Sequence, residues 1–217
     1  LIAASDDSVF HVCDDDGEGN EALHRSSHDG TVEAECQLEG YCLCSPVLAP
    51  GGLLFCSTYV AGDDEREDED EIIALDAQTL QLRHRFGLGL LNDANQLAVG
   101  GDELYVCDTG NSRLQVFSLT GEHRRSIVGE WREPTRLCFV KDRLYLLEQI
   151  NCDAPVQRRR ILVLSLQGDI LQVVTHPTEP SARSHSICCF DRKLLSSYSY
   201  YTESAGWGYG MLALQGL

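Results

Sequence analysis

Short apolar runs separated by Gly, Asp and Asn recur along the whole chain. Near the middle of the sequence they predict four strands at residues 94–100, 103–108, 113–119 and 123–128, rich in Val, Leu, Ile, Tyr and Phe. The apolar residues run together instead of alternating with polar ones, which is typical of a sheet that is buried on both faces. Helical periodicity is nearly absent. The pattern therefore predicts an all-β protein made of small antiparallel sheets.

This four-stranded unit is repeated. The segment "RLQVFSLTG" at 113–121 is closely matched by "RILVLSLQG" at 160–168, and weaker matches give five copies at about 1–40, 41–92, 93–129, 130–178 and 179–217. Four-stranded units with this period predict a β-propeller, in which each copy is one blade with strands a to d. The fifth copy lacks its fourth strand. We therefore expect residues 1–217 to form a single propeller domain or a propeller fragment, and a sixth blade is an open alternative.

One hairpin carries a family resemblance. The segment "ELYVCDTGNSRLQVFSLTGE" at 103–122 resembles the core of an NHL repeat. The matching positions are Asp108, Gly110, Asn111, Arg113, Val116, Phe117 and Gly121, with Pro134 opening the next copy. The second copy departs from the pattern, because Ser57 stands at the Asp place. The resemblance implies a propeller of five or six blades that serves mainly as an interaction platform, although some relatives bind RNA and related propellers include lactonases and amidating lyases.

The matching polar residues have a structural explanation of their own. We expect Asp108 to accept hydrogen bonds from backbone amides of its turn and Arg113 to fold back onto Asp108. Gly110 and Asn111 tolerate positive φ, which a tight turn often requires. We therefore interpret these four residues as a structural turn motif.

The net charge of the chain opposes binding to nucleic acid. The sequence has 34 acidic and 17 basic residues, a formal net charge of −17, which repels phosphate. Residues 63–71 contain eight acids and one Arg. A block of like charge usually stays solvated, and capture of a basic partner tail or of divalent cations is the alternative.

The cysteines predict a reducing compartment. Of ten cysteines, Cys13, Cys56 and Cys107 align at one place in strand b, and Cys138 and Cys188 align at one place in strand a. Equivalent places in neighbouring blades usually face the core between blades, where Cys acts as a small apolar residue. We therefore predict free buried thiols and a cytoplasmic location. No apolar run is long enough for a membrane span, and no signal segment is visible.

Two stretches resemble metal-binding motifs but lack the residues or the setting that such motifs require. "DDDGEGNE" would place Val12 and Leu23 at the first and last ligand positions of a calcium loop. His24 and His28 are four residues apart, but they fall in a predicted hairpin beside serines, so we expect a surface turn. The sequence predicts neither a metal site nor a cofactor.

The longest insertions fall between strands b and c. In a propeller the b–c and d–a connections emerge on one face, which we call the b–c face, and binding loops tend to cluster on one side of a scaffold. The insertions are "DDDGEGNEA", "VAGDDEREDEDE", "QINCDAPVQRRR" and "YYTESAGWGYG". The b–c face is therefore the candidate working surface.

Polar residues at the starts of the a strands form the candidate site on this face. They are Asn92, Asp93, Asn95, Arg132, Arg136, Arg183 and His185, with Trp207 as an aromatic anchor at the rim. Ordinary solvated turns, and a Trp207 that only covers the last blade, are the alternatives.

The sequence favours a non-catalytic platform that binds a protein or peptide partner, with a basic partner as one option, as the recognition part of a larger protein. The alternative is a lactonase-type or lyase-type enzyme with a metal near the axis, for which His185 with Glu133 or Asp93 offers the ligands.

Overall fold

A computed structural model of the chain describes residues 2–14, 21–60, 70–148, 160–175, 183–190, 193–202 and 206–214. These residues form strands, turns and loops and contain no helix. No helix long and apolar enough to cross a membrane therefore occurs in this part of the chain.

The strands group into five consecutive antiparallel sheets. Blade 1 contains β1 (Ile2–Ala4), β2 (Val9–Asp14), β3 (Glu21–Ser26) and β4 (Val32–Cys36). Blade 2 contains β5 (Tyr41–Ala49), β6 (Leu53–Val60), β7 (Glu71–Asp76) and β8 (Leu82–Phe86). Blade 3 contains β9 (Ala94–Gly100), β10 (Glu103–Asp108), β11 (Arg113–Ser118) and β12 (His123–Ile127). Blade 4 contains β13 (Pro134–Val140), β14 (Arg143–Glu148), β15 (Arg160–Leu164) and β16 (Ile170–Thr175). Blade 5 contains β17 (Arg183–Phe190), β18 (Lys193–Thr202) and β19 (Gly206–Leu214).

Each strand pairs with the next one along the chain, so every sheet is a simple meander. The first strands of blades 2 to 5 lie beside one another from blade to blade, which places them closest to a common axis. This arrangement confirms the predicted all-β propeller. In blade 3 the observed strands match the predicted ones to within one residue at each end.

The apolar core lies between the blades. Leu114 and Val116 of blade 3 pack against Leu137 and Leu144 of blade 4, and all four are almost completely buried. Phe86 of blade 2 meets Phe117 of blade 3 with 5.1 Å between the ring centroids. Burial of each large apolar side chain contributes roughly 1.5–3 kcal/mol. Because both faces of an inner blade are covered, its apolar residues are consecutive in the sequence.

The predicted equivalence of three cysteines is wrong. Cys107 packs against blade 4, whereas Cys56 packs against Phe10 and Leu23 of blade 1. The two thiols therefore point to opposite sides of their sheets. Cys13 is the neighbour of Val12, which packs toward blade 2, so Cys13 faces away from blade 2. The b strands of different blades are therefore equivalent by the side of the sheet that each residue faces, and the cysteines do not mark equivalent positions.

Other cysteine predictions have mixed outcomes. Among the described cysteines, Cys13, Cys36, Cys42, Cys44, Cys56 and Cys107 are free thiols, and Cys42, Cys56 and Cys107 are buried. Cys188 is exposed, contrary to expectation: its neighbour Ile187 packs against blade 4, and the alternation of side chains turns Cys188 to the other side of the sheet. Burial raises the pKa of the Cys44 thiol to about 12 and raises the pKa of Cys56 and Cys107 further. The buried thiols are therefore protonated at neutral pH.

All four predicted insertions fall between the second and third strands of their blades. Residues 15–20, 61–69 and 149–159, which hold most of the first three, lie outside the described residues. The fourth insertion is mostly strand. β18 continues to Thr202 and β19 begins at Gly206, so most of "YYTESAGWGYG" belongs to a long hairpin instead of a loop.

Candidate functional site

Asp108 is the centre of a buried hydrogen-bond cluster on the b–c face. Its side chain is inaccessible to solvent, and the Nε of Arg113 donates to Oδ2 at 2.6 Å. Asn111 and Gln115 also donate to this carboxylate from their side-chain amides, at 2.9 and 3.2 Å. Several donors around one buried carboxylate offset the cost of removing its charge from water.

The cluster connects the hairpin to the linker that enters the blade. The backbone amide of Asn92 donates to Asp108 Oδ1 at 2.8 Å, and Arg113 donates to the Leu90 carbonyl at 3.0 Å. The amide bound by Asp108 thus belongs to the d–a linker, not to its own turn as predicted. The motif therefore fixes the start of the blade as well as the shape of the hairpin.

Gly110 serves close packing. Its amide donates to the Asn92 carbonyl at 2.9 Å, and a Cβ at this position would lie 2.5 Å from Asn92 Oδ1. Neither Gly110 nor Asn111 has positive φ, contrary to prediction; the left-handed residue of this turn is Ser112, with φ 52°. Glycine is therefore required because the linker lies against it.

Blade 4 repeats the same cluster with a longer acid. Arg160 donates to Glu148 Oε1 at 3.0 Å and to the Glu130 carbonyl at 3.3 Å, as Arg113 does to Asp108 and the Leu90 carbonyl. Glu148 is only 3% exposed. The insertion between strands b and c of this blade leaves the ion pair intact.

Blade 2 lacks the pair. Thr58 is paired with Glu71, the first residue of the next strand, just as Asp108 is paired with Arg113. Thr58, and not Ser57 as predicted, therefore stands at the Asp place. Glu71 instead forms an ion pair at 2.5 Å with Arg85 of β8.

A β-bulge at the start of strand a shapes the candidate site in blades 2 to 5. The register shifts at Cys44/Val47, Val106/Asp108, Pro134/Arg136 and Ser184/Ser186. Bulges redirect side chains and are common beside binding sites. In blade 3 the bulge contains Asn95, and in blade 5 it contains the backbone of His185.

Asp93 lies just before this bulge in a left-handed conformation, with φ 52°. Its carbonyl accepts the amide of Thr109 at 3.2 Å, and its carboxylate accepts Asn95 Nδ2 at 3.1 Å. Asn95 also donates to Thr109 Oγ1 at 3.1 Å. In blade 4 the linker residue Glu133 has the same left-handed backbone, with φ 46°.

Four carboxylates lie close enough to influence one another at this point. Loss of solvation raises the pKa of Asp70, and the charges of Asp93 and Asp108 raise it further. Loss of solvation, followed by the charges of Glu133 and Asp108, raises the pKa of Asp93. Asp70 also accepts the amide of Ala94 at 3.0 Å, which ties it to the start of β9. The site is therefore a concentration of negative charge.

Arginines near this cluster have different roles. Arg132 is exposed, and Arg136 is half-buried, with its Nη1 donating to the Thr135 carbonyl at 3.0 Å. The buried atoms Arg136 Nε and Gln96 Oε1 have no hydrogen-bond partner among the described residues. They lie on neighbouring a strands.

Three predicted site residues cannot be placed by their side chains. Arg183 and His185 belong to β17 and Trp207 belongs to β19, but their side chains lie outside the described part of the structure. The structure thus brings together Asn92, Asp93 and Asn95, and places Arg132 and Arg136 in the next blade.

Sequence reasoning missed Asp70 and Gln96. Asp70 was grouped with the solvated acidic segment, although it is only 7% exposed and contacts the next blade. A usable signal was its position directly before strand c. No pattern in the sequence singles out Gln96, because the burial of its Oε1 atom without a hydrogen-bond partner follows from the β-bulge.

Comparison with known proteins supports the fold. The NHL repeat family matches residues 91–117. The sequence has no significant match among curated proteins. Similar solved structures include hydrazine synthase from Kuenenia stuttgartiensis, with 12% identity and a TM-score of 0.71 over 98% of this chain and 61% of that one.

Two further solved structures are similar at low sequence identity. The WD40 β-propeller domain of Doa1 has 13% identity and a TM-score of 0.64 over 90% of this chain and 58% of that one. BamB from Moraxella catarrhalis has 13% identity and a TM-score of 0.59 over 99% of this chain and 57% of that one. The chain thus spans less than two thirds of the length of these three structures.

The family match coincides with β9, β10, most of β11 and the linker that Asp108 binds. The chain is accordingly a β-propeller whose third blade matches the NHL repeat at residues 91–117.

Proposed function

We propose that the protein is a non-catalytic interaction platform whose b–c face binds a cationic segment of a protein partner. One observation carries the proposal: Asp70, Asp93 and Glu133 gather at the starts of the a strands, and none of them forms an ion pair with a described Lys or Arg. The neighbouring acids Asp108 and Glu148 each have their own arginine.

A cationic side chain would lower the energy of this cluster. Asp70 and Asp93 repel each other and have lost part of their solvation, so their charged forms are costly in the free protein. A Lys or Arg from a partner supplies the missing opposite charge. Gln96 Oε1 offers an additional acceptor to such a group.

The charge of the whole chain supports the same partner. A net charge of −17 attracts basic segments over a distance and raises the rate of association at low salt. Recognition loops on one side of a rigid scaffold would then provide selectivity.

The test is peptide binding measured by fluorescence anisotropy. A labelled Lys/Arg-rich peptide is expected to bind, with affinity falling as salt is raised, and a Glu-rich peptide of equal length is expected not to bind. The double variant Asp93→Asn, Glu133→Gln should weaken binding about 10-fold, since each lost charge pair contributes on the order of 1 kcal/mol or less.

Glu122→Gln is the matched control. Glu122 is exposed in a c–d turn, on the opposite face, and its replacement removes one negative charge, as the single substitution Asp93→Asn does. An equal loss of affinity in Glu122→Gln and in Asp93→Asn would contradict the proposed face. No binding of the basic peptide at low salt, or tight retention of RNA in a filter assay, would contradict the proposed partner.

The enzyme alternative is distinguished by metal analysis. One equivalent of calcium or zinc bound to the wild type, and lost in the Asp93→Asn, Glu133→Gln variant, would favour a metal-dependent hydrolase or lyase over a platform.

A further inference from the structure

A second group of side chains lies in blade 1, away from the acidic cluster. His11 and Cys13 are two residues apart in β2, so their side chains project from the same face of the sheet. His24 of β3 is paired directly with His11 across the two strands. Two imidazoles and a thiol are thereby collected on one patch of sheet.

The three potential ligand atoms lie within 4.8 Å of one another. In a tetrahedral zinc site, bond lengths of about 2.0–2.3 Å place ligand atoms roughly 3.3–3.8 Å apart. Small side-chain rotations would therefore be enough to close the group around an ion. The imidazoles of His11 and His24 meet edge to face, with centroids 5.5 Å apart.

This arrangement corrects the expectation for His24. The sequence predicted a surface turn for both His24 and His28, but His24 is in a strand and only 8% exposed, whereas His28 is exposed in the following turn. The pair that matters is across two strands, not four residues apart along the chain. A pair formed across two strands cannot be recognised from the spacing of the two residues in the sequence.

Glu35 supplies an outer partner. It is paired with His24 in the neighbouring strand β4, and its Oε2 lies 3.8 Å from His24 Nε2. Histidines that bind metals commonly donate their other ring N–H to a carboxylate, which fixes the ring and strengthens the ligand. The carboxylate also adds negative charge next to a cation.

We propose that His11, Cys13 and His24 bind a zinc ion between β2 and β3. Two imidazoles and one thiolate are ligands that zinc favours, and three protein ligands leave a fourth position for water or Glu35. The ion would join two strands of the terminal blade. Blade 1 packs on β5 of blade 2 through its other face, which contains Phe10 and Leu23, so the ion and the core would hold opposite sides of this sheet.

Cobalt provides a direct test on the whole chain. The chelator-treated, reduced protein is titrated with Co²⁺, and we expect one equivalent to give the visible bands of a tetrahedral site together with a thiolate-to-cobalt charge-transfer band. Zinc should then displace the cobalt and abolish both signals. Zinc should also raise the melting temperature.

Variants identify the ligands. Cys13→Ser should remove the charge-transfer band, and His24→Gln should weaken zinc binding by more than about 100-fold, which exceeds the effect typical of an outer partner. Cys188→Ser and His28→Gln are matched controls, since both residues are exposed and lie outside the group, and they should bind zinc like the wild type.

Cobalt binding without a charge-transfer band, or equal zinc affinity in Cys13→Ser and Cys188→Ser, would overturn the proposal. So would the absence of stoichiometric binding in the wild type. If Cys13→Ser is poorly folded, Cys13→Ala and the zinc-dependent melting shift of the remaining folded protein provide the second measurement, and an unchanged shift would again refute the site.

Discussion

Asp108 and Asp93 lie on the same face of blade 3 and represent opposite ways of placing a carboxylate. Asp108 is completely buried and accepts Arg113, Asn111, Gln115 and the amide of Asn92. Asp93 is exposed, has a left-handed backbone and lies beside other acids without a described cation. The fold supplies a cation to Asp108, and we propose that a partner supplies one to Asp93.

The contrast separates carboxylates that stabilise the propeller through an arginine from carboxylates that have no described cation beside them. The Asp108 cluster holds the b–c hairpin against the d–a linker, and that linker contains Asp93. The structural carboxylate thus positions the candidate functional one. The family motif at 103–122 thus positions the proposed binding residue Asp93 without containing it.

Asp108→Asn is expected to have the largest effect on the fold. The substitution removes the negative charge that pairs with Arg113 and leaves one amide group facing several donors. Breaking a buried ion pair costs about 3 kcal/mol or more of unfolding free energy. Chemical denaturation of the purified variant measures this loss.

Asp102→Asn serves as the surface control for that experiment. Asp102 pairs with Arg124, but its side chain is 79% exposed, so its loss should have little effect. Equal stability losses in Asp108→Asn and Asp102→Asn would show that the buried cluster is not what holds the hairpin.

Glu148→Gln should be the next largest change. Glu148 repeats the role of Asp108 in blade 4, but its contacts with Arg160, at 3.0 and 3.3 Å, are longer than the 2.6 Å contact of Arg113. We expect a loss of about 2 kcal/mol, measured by the same denaturation experiment. A loss larger than that of Asp108→Asn would reverse the ranking of the two copies.

The sequence contained most of the fold because its signals were local. Turn residues and apolar runs placed the four strands of blade 3, and the same pattern recurred in the other copies. The pairing of Arg113 with Asp108 also follows from local spacing, since the two residues close one hairpin. Such local patterns remain recognisable even where the sequences of the copies differ.

The missed features depend on contacts between blades or strands. Asp70 belongs to an acidic segment in the sequence, and only the next blade reveals that it binds the amide of Ala94. Cys56 and Cys107 align in the sequence, but their positions in the strand differ by one residue, so they face opposite sides of their sheets. A one-residue register difference exchanges the two faces of a strand, and similarity of short segments does not resolve it.

Asp93→Asn is expected to stabilise the protein slightly. The change removes repulsion by Glu133 and Asp108, and Asn tolerates the left-handed backbone well. Because Asp93 is exposed, solvent screening limits the gain to about 0.5 kcal/mol. A higher unfolding midpoint together with weaker binding of the basic peptide would indicate a trade of stability for function. A lower midpoint would show that Asp93 has a structural role like that of Asp108.

The pH dependence of this gain is the smallest expected effect and the sharpest test of its cause. The pKa of Asp93 is raised in the folded protein, so its ionisation is unfavourable at neutral pH and this cost disappears as the pH falls through the folded pKa. The advantage of Asp93→Asn over the wild type should therefore be present at neutral pH and vanish in acid.

For Asp102→Asn, the stability difference from the wild type should have the opposite sign. The hydrogen bond from Arg124 lowers the pKa of Asp102, so Asp102→Asn should be slightly less stable than the wild type at neutral pH, and this small difference should also close in acid. Parallel stability curves for the wild type and Asp93→Asn at all pH values would assign the gain to the backbone instead of the charge, and would remove the electrostatic argument for a cationic partner.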